Sequence, residues 1–67
     1  MKIDEIQVGK TYRNRGAGRT TRKVIDISRD GWIVFKTFNR FSKMIEIQRL
    51  SFASFAQWAG SEVKDGN

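Results

Sequence analysis

The chain has 67 residues, with 13 Lys and Arg against 7 Asp and Glu for a net charge of +6, and neither cysteine nor histidine. That length allows one domain with one core. The missing residue types exclude disulfides and the usual zinc ligand sets as stabilisers, so apolar packing must hold the fold.

Residues 1–8 carry Ile3, Ile6 and Val8. The spacing of Ile3 and Ile6 allows one helical turn that Gly9 would end, and an extended lead-in to a strand fits equally well. Lys10 to Arg13 is a short strand candidate. It runs into a loop or hairpin tip at residues 14–20, where Gly16 and Gly18 stand beside Asn14.

Residues 22–28 alternate as a half-buried strand: Ile25 and Ile27 point one way, Arg22, Asp26 and Ser28 the other, with Val24 the exception. Asp30-Gly31 between two apolar runs signals a hairpin, expected as a type I′ turn with positive φ at both positions. Residues 32–38 form the strongest strand, β-branched and aromatic on both faces as a central strand is. Asn39-Arg40 is the next expected turn, and residues 41–48 the next strand.

The pattern changes at Ser51. Phe52, Phe55, Ala56 and Ala59 recur at i, i+3, i+4 and i+7, one face of an amphipathic helix. Ser51 is placed to cap its start and Gly60 to stop it. The expected organisation is one domain over residues 1–60 and a flexible, polar tail over residues 61–67. The fold expected is mainly β: a small SH3-like barrel or curled antiparallel meander of short strands closed by a short C-terminal helix. A two-layer sheet with one packed helix is the alternative. Phe35, Phe52, Phe55 and Trp58 are the expected core aromatics.

Residues 1–5 lack the apolar centre of a secretory signal, and no apolar run approaches the roughly 20 residues of a membrane span. The expected setting is cytoplasmic, with no membrane partner.

The segments Gly9-Lys10-Thr11-Tyr12-Arg13, residues 22–27, Trp32-Ile33-Val34-Phe35 and residues 52–59 follow one another in an order that resembles small uncharacterised proteins of phages and prophages. The resemblance spans about residues 9 to 59. It implies an SH3-like barrel and a phage or prophage source in a bacterial cytoplasm. It carries no functional residue with it.

Function is read from charge and aromatics. Lys10, Arg13, Arg15, Arg19, Arg22 and Lys23 fall within residues 9–23, which contain no acid. Arginine forks suit phosphate, and glycines let a backbone approach it closely. A second cluster, Lys36, Arg40 and Lys43, is interleaved with Tyr12, Trp32, Phe38 and Phe41 in the manner of single-strand binders. Trp32, Lys36 and Phe38 share a strand face by alternation. Tyr12 and Trp32 are the stacking candidates.

Asp26 and Glu46 could flank each other on paired strands, but a cross-strand role opposite Arg22 or Arg49 is the simpler expectation. With no histidine, no cysteine and no metal-ligand cluster, the usual general bases and nucleophiles are scarce. The expectation is a non-catalytic module with no cofactor and no metal. It would bind nucleic acid, DNA or RNA, through Lys10, Tyr12, Arg13, Arg15, Arg19, Arg22, Lys23, Trp32, Lys36, Arg40 and Lys43. The alternative partner is an acidic protein surface, with the chain acting as inhibitor or adaptor on a host enzyme or defence complex.

Overall fold

The computed structural model describes residues 1–14 and 20–63. Five strands form one antiparallel sheet: β1 (Thr11–Asn14), β2 (Thr21–Ile27), β3 (Trp32–Phe38), β4 (Met44–Ser51) and β5 (Ala59–Val63). A 3-10 turn at Ile3–Glu5 precedes them, and the helix α1 (Phe52–Trp58) joins β4 to β5. The strand order is β4-β3-β2-β1-β5. The chain therefore runs as a meander and then returns its last strand to the free side of β1, so the expected mainly β architecture is present. Among the described residues no helix is long and apolar enough to cross a membrane.

One core of Ile6, Tyr12, Val24, Ile33, Phe35, Phe55, Ala56 and Ala59 draws on the N-terminal segment, β1, β2, β3, α1 and β5, and Leu50 of β4 packs against it. β3 shows how the sheet divides: Ile33, Phe35 and Thr37 are buried, and the residues between them face the other side. Helix α1 plugs the inner face. Phe55 is fully buried and meets Tyr12 edge-on at 5.9 Å, Phe35 at 5.3 Å and Trp58 at 5.5 Å between ring centroids. Phe52 and Trp58 pack half-buried against this core. Ser51 caps the helix as expected, its Oγ accepting from the Ser54 amide at 3.2 Å.

Register explains what alternation alone left irregular. The β2–β3 pairing shifts between Val24 and Asp26. Ile25 is the extra residue of a bulge, so Val24 and Ile27 turn inward, and not Ile25 with Ile27. A second shift, where Thr37 pairs with Glu46 but Phe38 with Met44, makes Ile45 the extra residue in β4.

Both hairpins differ from expectation in detail. Only Gly31, at φ +85°, is left-handed in the β2–β3 turn. The Gly31 amide donates to the Ser28 carbonyl at 3.2 Å, so residues 28–31 make a type I turn whose last residue is the left-handed glycine, not type I′. The β3–β4 turn repeats this plan over residues 39–43, which delays β4 to Met44. The Asn39 Oδ1 accepts from the Phe41 and Lys43 amides at 2.9 and 3.0 Å. Ser42 takes the left-handed place at φ +62°. A side chain there costs about 1 kcal/mol, so Ser42→Gly is expected to raise the denaturation midpoint. The gain should be below 1 kcal/mol because glycine also loses more chain entropy. An unchanged or lowered midpoint would count against strain at this turn.

The tail expected over residues 61–67 is corrected in its first part. Ser61 to Val63 belong to β5 and pair with β1, Thr11 facing Val63 and Arg13 facing Ser61. Residues 64–67 lie outside the described residues.

Candidate nucleic-acid interface

The outer face of the sheet is the side turned away from α1. Cross-strand partners share a face, so register decides who stands there. Thr11 faces Lys23, Lys23 faces Lys36 and Lys36 faces Ile47, making one row across four strands. In the next row Arg13 faces Thr21, Thr21 faces Phe38 and Phe38 faces Met44. Toward the other end Asp26 faces Val34 and Val34 faces Arg49. Trp32 ends the face, 40% exposed, with the Arg49 guanidinium 4.9 Å from its ring centroid.

This face holds Arg13, Lys23, Lys36 and Arg49 with Trp32 and Phe38. Asp26 is its one acid on β1 to β4. The β3–β4 turn adds Arg40, which lies 4.8 Å from the ring centroid of Phe41, and Lys43. Phe41 is 68% exposed. Among the described residues none of these cations is in an ion pair.

Three expected site residues stand elsewhere. Tyr12 is fully buried. Its hydroxyl donates to the Glu5 carbonyl at 3.0 Å and accepts from the Gln7 amide at 2.8 Å. It is a core residue that ties down the N-terminal segment, and its ring cannot stack on a base. Arg22 pairs with Tyr12 and Thr37, so it projects to the inner face. Its Cζ lies 4.2 Å from the Trp58 ring centroid and 4.7 Å from that of Phe35. Burial lowers its pKa from the ordinary value. The Arg22 Nε and the Thr37 Oγ1 are buried without a hydrogen-bond partner among the described residues. Arg22 is thus a cation between aromatic rings, away from the outer face. Lys10 pairs with Glu62 at 3.5 Å. Arg15 and Arg19 lie outside the described residues.

The acids are also rearranged. Asp26 and Glu46 do not flank each other: β3 lies between their strands, and Glu46 faces buried Thr37 while Asp26 shares the outer face. Arg49 was not among the expected binding residues. Its period-two spacing from Ile47 and Ile45 was visible, but its neighbours depended on register. Comparison with protein-family models, with curated proteins and with solved structures gives no match.

Proposed function

We propose that this chain is a non-catalytic module that binds nucleic acid on the outer sheet face. The observation that carries this is the Lys23–Lys36 pair. These residues are direct cross-strand partners, and like charges so placed destabilise a sheet. Arg13 and Arg49 stand on the same face and no carboxylate is paired with any of the four among the described residues. A run of phosphates would relieve that repulsion and release counterions. Trp32 and Phe41 offer ring surface beside the cations, which suits unpaired bases better than a closed duplex. Contacts mostly to phosphate imply weak sequence preference.

Arg15 and Arg19 of the β1–β2 connection belong to the same proposal. So do a cytoplasmic setting and a phage or prophage source. The test is a titration of labelled protein with short single-stranded DNA, RNA and duplex, repeated over a range of salt. Amide shifts are expected in β1 to β3 and around Trp32, strongest with single strands. Lys23→Gln/Lys36→Gln is expected to reduce the salt slope by about 1.4, two contacts at about 0.7 each. An unchanged slope would remove this face as the site.

A second partner class is favoured by the apolar residues beside the cations, Ile45 and Ile47 among them, each 54% exposed. An acidic protein surface with an apolar centre would fit them. Capture of one defined host protein that survives nuclease treatment, with no shifts in the titration, would select this alternative.

A further inference from the structure

Among the described residues β4 is an edge strand, hydrogen-bonded to β3 alone. It is eight residues long, and its first six residues are exposed. Met44 is 50% exposed, and Ile45 and Ile47 are 54% exposed. Edge strands are ordinarily protected by lysine, proline, shortness or a bulge. β4 has no lysine and no proline, and its bulge lies at its first turn only. The opposite edge, β5, is shorter and carries Glu62 tied to Lys10.

We propose that β4 pairs with β4 of a second copy, antiparallel about a two-fold axis at Ile47, to make one continuous sheet. Two observations on β4 single out a second copy. The first is charge. The chain carries +6 overall, yet Glu46 and Arg49 are the only charges of β4, and they cancel. Two like-charged chains meet here without the repulsion that the basic outer face would impose.

The second is register. A two-fold antiparallel pairing keeps each face on its own side, so it must be centred on a residue. Centring on Ile47 sets Ile47 against Ile47, Glu46 against Gln48 and Ile45 against Arg49 of the second copy. Apolar meets apolar, a carboxylate meets an amide donor, and a methylene stem covers Ile45. Centring on Glu46 or on Arg49 would put like charges face to face. Centring on Gln48 would put Glu46 against Leu50. The pairing would also satisfy the unpaired backbone groups of the edge and extend the cationic outer face across both copies.

The absence of cysteine allows a direct test on the protein alone, independent of any nucleic acid. Ile47→Cys and Ile45→Cys change side chains of equal exposure. Opposed residues in an antiparallel pair have Cα atoms about 4.5 or 5.5 Å apart, within the roughly 4.4–6.8 Å of a disulfide. The two copies of residue 45 would be about 13 Å apart, four residues along the strand. Under a mild oxidant, Ile47→Cys is expected to give a covalent dimer rapidly and Ile45→Cys to remain largely monomeric. Equal cross-linking of the two, or none, overturns the proposal.

Sedimentation of the unaltered chain is expected to show a dimer whose fraction rises with concentration. Ile47→Lys should abolish it while the amide spectrum of β1 and β2 is kept. A monomer at every concentration would leave the edge to some other strand and overturn the proposal. A dimer that survives Ile47→Lys would place the contact elsewhere, with the same consequence.

Discussion

Phe55→Ala is expected to cost about 3–5 kcal/mol, a large share of the whole stability of the chain. Phe55 is fully buried, and three aromatic rings converge on it, Tyr12 from β1, Phe35 from β3 and Trp58 from its own helix. It is the point where α1 is held to the inner face. Truncating a buried phenylalanine costs about 3–5 kcal/mol, from lost transfer energy and from the cavity left behind. At 0.05–0.15 kcal/mol per residue, a chain of this length has roughly 3–10 kcal/mol in total. No disulfide adds to that, because there is no cysteine. A large fall in the denaturation midpoint, with near-UV circular dichroism and amide dispersion lost together in the transition, is the expected signature. A folded variant with a midpoint close to that of the parent would mean that α1 closes over the cavity and that the helix, not this ring, holds the core.

Tyr12→Phe is expected to destabilise by about 1–3 kcal/mol, the cost of leaving partly buried polar groups unpaired. The ring stays in the core, so the sheet should persist. What is lost is the bridge from the hydroxyl to the Glu5 carbonyl and the Gln7 amide. The N-terminal segment should then open before the sheet does. Hydrogen exchange at Gln7 is the decisive reading: its amide should exchange much faster in the variant, with β3 amides changing only as global stability does. Unaltered protection at Gln7 would show that the segment is held without this bridge, by the packing of Ile6 and its other contacts. The same substitution bears on function. A nucleic-acid affinity that fell with Tyr12→Phe, beyond the change in stability, would contradict the placement of this residue in the core.

Local patterns placed most elements. The strand over Trp32–Phe38 followed from β-branched and aromatic residues. The helix followed from the spacing of Phe52, Phe55 and Ala56 behind Ser51, but it ends at Trp58, so Ala59 and the expected stop Gly60 belong to β5 instead; the hairpin at residues 28–31 followed from Asp30-Gly31. β5 was not legible, because Ser61, Glu62 and Val63 have no strand-like pattern of their own and are held by pairing with a strand about fifty residues earlier. Tyr12 was misplaced for a similar reason. A four-residue strand contains too few alternations to say which side faces the core, and the residues that make that side apolar, Phe55 among them, come from distant parts of the chain.

Composition and local spacing determined that this chain is one basic, cysteine-free, mainly β unit closed by a short capped helix. Those properties depend on neighbours within a few residues, and the hairpins and the helix each carry their own signals. The tertiary structure alone decided which cations stand together. Lys23, Lys36, Arg13 and Arg49 share a face because of strand register, while Arg22, one residue from Lys23, lies between rings on the other side. One inserted residue reverses the facing of every residue beyond it, and the bulges at Ile25 and Ile45 are such insertions. Where they fall shows only in the pairing of one strand with the next, which no short window of sequence contains.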